Sequence, residues 1–296
     1  MESSSLEISL DRFDRVYRPG DTIKGTLDVL AYKGWTHNGI QLWADGTVFT
    51  LLQGTMMSLS GDQTKEEKLF SYNEELIPPG KAPEGRSRVS FEIKLPKDGP
   101  WQESYHGCYV SVIYSIGTSC DRGMMKKALK REIEFIMEIP AVKPLEPKPV
   151  TFDISPQSLS DVPQNIMKTL PDFRVTGKLH RSNCNINHPF TGEVNINMSV
   201  AAIRSVELQL ARIESVFVPA SNKFQQEASE VMRIQIGEGN LCRDMVVPIY
   251  MVFPRLHSCP TLKTKKFKIE FEMNMMVIFD DGHVITENFP IFIQRD

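Results

Sequence analysis

The chain has 296 residues, of which 41% are hydrophobic and 24% are charged, a composition typical of a soluble globular protein with a real core. Because domains most often contain about 100 to 150 residues, this length predicts two domains. Thirty-four lysines and arginines stand against 37 acidic residues, so the charge balance excludes a basic platform for nucleic acid.

The cysteines and the apolar segments indicate the cellular compartment. Five cysteines, an odd number without a C-x-x-C pair, fit neither a disulfide framework nor a zinc knuckle. The first ten residues lack the apolar region of a signal peptide, and the longest apolar stretch, Val246 to Phe253, contains a proline and is too short to span a bilayer. We therefore expect a cytosolic protein.

Apolar and polar residues alternate with a period of two through the first half of the chain, the pattern of strands that bury one face. Clear examples lie at 6–10, 89–95 and 108–116. Turn sequences separate such segments, among them Arg18-Pro19-Gly20-Asp21.

A proline-rich segment divides the chain. The ten residues from Pro140 to Pro149 include four prolines. Proline has no N–H to donate to a sheet hydrogen bond, and it favours an extended connector. We therefore predict an N-terminal domain over 1–140, a linker over 141–152 and a C-terminal domain over 153–296.

The second half opens with Ser155-Pro156, which resembles the start of a helix, and a short helix is predicted over 156–168. Alternating strands return at 194–200 and 267–275, and Asp281-Gly282 is a strong hairpin signal. Strands and turns with almost no helical period predict an all-β chain of two antiparallel β-sandwich domains.

The two halves also resemble each other in the order and spacing of their motifs. Gly25 corresponds to Gly192, Leu42 to Leu208, and Pro96 to Pro254. A duplicated module would keep such an order, and the alternative is that any two sandwiches share similar spacing.

Catalytic and metal-binding motifs are not found. The nearest approach to a phosphate-binding loop, Gly20 to Thr26, has its lysine in the wrong place, and a nucleophile elbow is absent. The six histidines do not fall at metal-ligand spacings. The sequence therefore predicts no enzyme, no cofactor and no metal site.

Two basic clusters allow more than one interpretation. Residues 126–131 suit either an anionic lipid or a solvated loop. Lys263, Lys265, Lys266 and Lys268 precede and enter a strand, where lysines also protect a sheet edge from unwanted pairing. Neither cluster identifies a partner by itself.

Several long strings of sequence resemble one family. In the second half they cover 201–214, 247–256, 259–262 and 283–290, and shorter ones in the first half include 46–48, 79–81 and 103–107. They resemble the vacuolar protein sorting twenty-six family, the arrestin-like subunits of retromer and of retriever. The first half departs more from the family, notably over 51–71.

The resemblance implies an arrestin-like fold and a non-catalytic scaffold role. Such a subunit joins the α-solenoid large subunit of retriever and a metallophosphoesterase-like small subunit in a trimer. With a sorting-nexin cargo adaptor and the wider Commander assembly, the trimer returns membrane-protein cargo from endosomes to the plasma membrane. The chain is then expected in the cytoplasm, recruited to endosomes, and associated with membrane only through the complex.

A stand-alone arrestin-type adaptor that binds receptor tails directly is the alternative function. It would call for a phosphate-sensing cluster and a clathrin-box tail, and neither is expected in this chain, which ends at Gln294-Arg295-Asp296.

The resemblance also implies that the second domain grips the solenoid, by position through the segment from Val247 to Leu262. Its prolines stiffen the segment, so docking costs little loop entropy. The predicted contact residues are Phe253, Pro254, Arg255, Leu256 and Leu262. The alternative is that Ile249, Met251 and Phe253 are core residues of a strand.

Overall fold

The computed structural model describes residues 4–52, 63–122, 127–143, 145–159, 168–255 and 258–296. Apart from one short 3-10 turn, every regular element in these residues is a β-strand, which confirms the all-β prediction. The chain separates into two compact units, Met1–Ile139 and Pro140–Asp296.

Unit 1 contains two main sheets that face each other. Its strands are β1 Ser5–Leu10, β2 Val16–Tyr17, β3 Thr22–Ala31, β4 Trp35–His37, β5 Ile40–Leu52, β6 Gln63–Ile77, β7 Gly80–Ala82, β8 Gly85–Lys94, β9 Tyr105–His106, β10 Val110–Cys120 and β11 Leu129–Met137. One sheet has the order β1-β3-β8 and the other β2-β11-β10-β5-β6, with β9 beside β10. Alternating side chains such as Leu27, Phe91 and Tyr114 are almost completely buried and build the core.

Unit 2 repeats this plan. Its strands are β12 Val150–Ile154, β13 Phe173–Leu179, β14 Asn183–Asn185, β15 Phe190–Ser199, β16 Ile203–Val218, β17 Lys223–Glu238, β18 Val246–Met251, β19 Leu262–Lys263, β20 Phe267–Phe279 and β21 Val284–Gln294. One sheet has the order β12-β13-β15-β18 and the other β14-β21-β20-β16-β17, with β19 beside β20.

The main sheets of the two units have the same strand order, although β4 and β7 pair with each other in unit 1 without a counterpart among the described strands of unit 2. β13, β15 and β18 take the places of β1, β3 and β8, while β14-β21-β20-β16-β17 takes the place of β2-β11-β10-β5-β6. The equivalent residues Gly25 and Gly192 lie on β3 and β15, as the sequence comparison of the halves requires. Shared topology favours duplication over chance spacing, and β12 is the addition peculiar to unit 2.

Some details of the chain depart from the sequence predictions. Val150 to Phe152, assigned to the linker, begin β12 and pair with β13. Two strand pairs are parallel in an otherwise antiparallel fold, because β2 and β14 run alongside the last strand of each unit.

The helix predicted over 156–168 is not formed where the structure describes it. Pro156–Ser158 make only a 3-10 turn. Ser158 Oγ accepts a hydrogen bond from the Ser155 N–H and donates one to the Ser155 carbonyl oxygen, both at 2.9 Å. Residues 160–167 lie outside the described residues.

The hairpin predicted at Asp281-Gly282 is confirmed. Gly282 has a φ of +91°, a left-handed conformation that favours glycine, and the Phe279 N–H donates to the His283 carbonyl oxygen at 2.9 Å.

No helix in the described ranges is long and apolar enough to cross a membrane.

Candidate functional site

The segment predicted to grip a partner begins on β18, at the edge of its sheet. Among the described strands β18 pairs with β15 alone. Its inward side chains Val247, Ile249 and Met251 are 8%, 2% and 1% exposed. The core interpretation is therefore confirmed for Ile249 and Met251.

The fold places the five predicted contact residues differently. Phe253 is only 5% exposed, so its ring belongs to the core and is not presented to a partner. Arg255 is exposed, whereas Pro254 and Leu262 are half-buried. Leu256 lies outside the described residues. Of the four members of the set that the structure describes, Arg255 thus offers the most surface, with Pro254 and Leu262 contributing part of theirs.

Leu262 is fixed against the second sheet of unit 2. On β19 it lies opposite Ile269 of β20. Next to it, the Thr261 N–H donates to the Ile293 carbonyl oxygen at 2.7 Å, and the Ile293 N–H donates to Thr261 Oγ1 at 2.9 Å. These bonds hold the end of the segment in place.

The outward side chains of β18 and the residue after it form an apolar surface that the sequence analysis missed. Val246, Tyr250 and Val252 are 55%, 61% and 57% exposed, and Pro248 between them is exposed as well. A signal was present, because both alternating sets in the run from Val246 to Phe253 are apolar, whereas a strand with one face in water normally carries a polar set. We call Val246, Pro248, Tyr250 and Val252 the apolar stripe.

Pro248 faces the free edge of the sheet. The His180 N–H donates to the Thr191 carbonyl oxygen at 3.0 Å, so the backbone of Thr191 points toward β13 and that of Gly192 toward β18. Ile249 lies opposite Gly192, which leaves the backbone of Pro248 directed to the open side. Proline has no N–H, so this edge lacks a donor and opposes the addition of another strand.

Polar residues border the apolar stripe. On β15, Asn195, Glu193 and Thr191 lie opposite Val246, Pro248 and Tyr250 respectively. Arg255 is exposed beyond the end of the stripe. An apolar centre with a polar rim is the usual composition of a protein–protein contact.

The buried thiols of Cys120 and Cys184 are poorly suited to act as nucleophiles. Burial raises the pKa of the Cys120 thiol to about 11 and that of the Cys184 thiol to about 12, so both stay protonated at neutral pH. Within the described part of the chain, no three histidine, cysteine or acidic side chains come together in a way that would hold a metal ion.

Comparison with known proteins covers both units. Residues 7–282 match the profile of the family described as vacuolar protein sorting-associated protein 26. A curated protein of Dictyostelium discoideum, vacuolar protein sorting-associated protein 26C, is 34% identical over 302 residues, which cover 98% of this chain and 99% of that protein.

Proposed function

Because the chain belongs to the vacuolar protein sorting-associated protein 26 family, whose members are sorting proteins, we propose that it is the non-catalytic, arrestin-like scaffold subunit of retriever. The similarity to a protein named 26C supports this placement within the family. The two-sandwich fold supports a binding role, because its surface carries the exposed apolar stripe.

In this role the C-terminal unit binds the α-solenoid subunit. The trimer also contains the metallophosphoesterase-like subunit, and it acts with a sorting-nexin adaptor and the Commander assembly. Its work is the return of membrane-protein cargo from endosomes to the plasma membrane, and the chain is recruited to endosomes with the complex.

The observation that carries the proposal is the apolar stripe, which runs directly into Pro254 and Arg255. Exposed tyrosine, valine and proline side chains in one row supply apolar area that is rigid before docking, so little conformational entropy is lost. Arg255 at the end of the row adds a charged rim contact.

The same edge favours a helical partner. Because Pro248 removes a backbone donor from the free side of β18, an extended peptide cannot complete a regular ladder there. A helix forms its backbone hydrogen bonds within itself, so it needs only side-chain contacts from a partner, and the apolar stripe offers these. An α-solenoid presents helices of this kind.

Affinity purification of the full-length chain from its native cells tests the proposal. We expect a solenoid protein and a small phosphoesterase-like protein in the purified complex. Recovery of receptors and clathrin without these two proteins would instead support the stand-alone adaptor and contradict a scaffold role.

Site-directed variants test the surface. Tyr250→Asp with Val252→Asp, and separately Arg255→Asp with Leu256→Asp, are expected to abolish capture of the solenoid without lowering the melting temperature. Val284→Asp is the matched control, because Val284 is 49% exposed on β21 in the other sheet of the same unit. Full capture by both double variants would show that the solenoid binds elsewhere.

A further inference from the structure

Five lysines gather at one end of the second sheet of unit 2. We call Lys223, Lys263, Lys265, Lys266 and Lys268 the lysine cluster. Lys223 begins β17 after the hairpin from β16, Lys263 ends β19, Lys265 and Lys266 form the turn to β20, and Lys268 is the second residue of β20.

The strand register brings these residues together. Lys263 lies opposite Lys268 on β19 and β20, and Lys223 lies opposite Val218 on β17 and β16. The Phe217 N–H donates to the Lys266 carbonyl oxygen at 2.8 Å, which ties the β19–β20 turn to the end of β16. The cluster therefore lies along one end of four neighbouring strands, β17, β16, β20 and β19, with Lys268 on the face of Phe217 and Lys223 on the opposite face.

The lysine cluster itself contains no acidic residue. The segments 215–226 and 261–269 contain all five lysines and not one aspartate or glutamate, and Glu214, Glu227 and Glu270 lie directly beyond them. Lys263 Nζ lies 2.6 Å from Glu270 Oε1. Within the described ranges, neither Lys223 nor Lys265 forms an ion pair, and both are exposed.

An exposed aromatic ring lies within the cluster. Phe224 is 37% exposed and packs against Phe217, with their ring centroids 5.5 Å apart. Lys268 Nζ lies 4.5 Å from the centroid of the Phe224 ring. Aromatic and lysine side chains side by side suit the boundary between water and lipid, where each has one apolar and one polar part.

Folding does not require this arrangement. Like charges directly opposite each other on paired strands are destabilising, and Lys263 faces Lys268 in this way, although the ion pair of Lys263 with Glu270 offsets part of the repulsion. Protection of a sheet edge accounts for a lysine on an edge strand, but Lys265 and Lys266 lie in a turn. A negatively charged partner would offset the repulsion.

We propose that the lysine cluster, together with Phe224, is a contact site for the surface of an anionic phospholipid membrane. The cluster is an open array at the end of a sheet, so it suits a planar surface of many phosphates. Lysines near an anionic membrane each add about fivefold to binding. The family resemblance implies membrane association only through the complex, and this site adds a direct contact that does not depend on the solenoid.

Flotation of the full-length chain with lipid vesicles tests the proposal. We expect binding to phosphatidylcholine vesicles that contain phosphatidylserine, weaker binding as salt is raised, and little binding to phosphatidylcholine alone. Lys223→Glu with Lys265→Glu should weaken the binding about 25-fold or more, because two attractions are lost. Both side chains are exposed and without a described ion pair, so the variant should fold normally.

The control is Lys143→Glu with Lys148→Glu, which changes the net charge equally at two exposed lysines outside the cluster. It should bind vesicles like the unchanged protein. Equal loss of vesicle binding in both variants would show that the effect comes from overall charge, and it would overturn the site. Binding of inositol hexakisphosphate without binding of vesicles would overturn the membrane as the partner.

Solenoid capture by the Lys223→Glu, Lys265→Glu variant separates this proposal from the scaffold function. We expect capture to be unchanged, since the apolar stripe lies on the other sheet of the unit. A chain that binds vesicles but no solenoid would leave the lipid site standing while the scaffold proposal fails.

Discussion

The edge strands β8 and β18 hold the same place in the two units, yet their outward surfaces have opposite character. Counting back from the equivalent Pro96 and Pro254, each outward residue of one strand has a counterpart on the other. Arg88, Ser90, Glu92 and Lys94 on unit 1 correspond to Val246, Pro248, Tyr250 and Val252 on unit 2. Residues of both sets are exposed.

This contrast shows which features the sandwich fold requires. The inward residues of both strands are apolar, because both sandwiches need a core. The outward residues of β8 follow the usual rule that a solvated edge is polar and charged. Since the same topology accommodates a charged edge in unit 1, the sandwich fold does not require the apolar edge of β18.

The largest effect is expected where the units are alike, at the equivalent glycines Gly25 and Gly192. A Cβ at Gly25 would lie 2.7 Å from the Ser9 carbonyl oxygen, and one at Gly192 would lie 2.6 Å from the Lys178 carbonyl oxygen. Neighbouring backbone cannot move away cheaply, so Gly25→Ala and Gly192→Ala should each lower the free energy of unfolding by about 3 kcal/mol. Chemical denaturation measures both losses.

Gly80→Ala serves as the control for these glycine substitutions. At Gly80 the nearest atom to an added Cβ would be the Pro78 carbonyl oxygen, at 3.8 Å, which is ordinary contact. The free energy of unfolding of the Gly80→Ala variant should differ from that of the unchanged protein by less than about 0.5 kcal/mol. If only one of the two buried glycines proved sensitive, the close strand approach would not be a shared feature of the repeat.

A smaller loss of stability is expected from substitution of Asp28, which belongs to the charged face that distinguishes unit 1. Asp28 on β3 is 2% exposed, and its carboxylate accepts hydrogen bonds from both Arg86 and Arg88 of β8. The hydrogen bonds from Arg88 and Arg86 hold the pKa of Asp28 well below its usual range. Asp28→Asn should therefore cost about 2 kcal/mol at neutral pH.

The pH dependence of that loss follows from the lowered pKa. A carboxylate with a folded-state pKa below its unfolded value stabilises the fold fully above about pH 4, and loses this contribution as the pH falls further. The difference in unfolding free energy between the unchanged protein and Asp28→Asn should thus shrink in acid. Asp153→Asn is the control: Arg174 also lowers the pKa of Asp153, but both partners are exposed, so this pair should contribute much less than Asp28 does. If the difference in unfolding free energy for Asp28→Asn stayed constant in acid, this would contradict a lowered pKa of Asp28.

Strong local patterns in the sequence predicted most of the architecture. Period-two alternation located strands such as β20, the Asp281-Gly282 step located a hairpin, and paired motifs located the repeat. β2 escaped prediction because two residues, Val16 and Tyr17, are too few to show a period. Its parallel pairing with β11 is set by tertiary packing, which no local pattern records.

The predicted contact residue Phe253 and the exposed Tyr250 lie on opposite faces of the same segment. Alternation tells which residues share a side of a strand, yet it tells which side is inside only when one set is polar. From Val246 to Phe253 both sets are apolar, so burial of Phe253 and exposure of Tyr250 emerge only from the packed structure.

The smallest effect on stability, and the sharpest test of the comparison, is expected at the apolar stripe. Tyr250→Glu with Val252→Lys gives β18 the charges that β8 carries at the equivalent Glu92 and Lys94. Because these side chains are more than half exposed, the free energy of unfolding should change by less than about 0.5 kcal/mol. Self-association at high concentration, measured by light scattering, should fall, since an apolar edge would be replaced by a charged one. A large loss of stability would show that the stripe belongs to the packing of unit 2, and the contrast between the two edges would then have no bearing on partner binding.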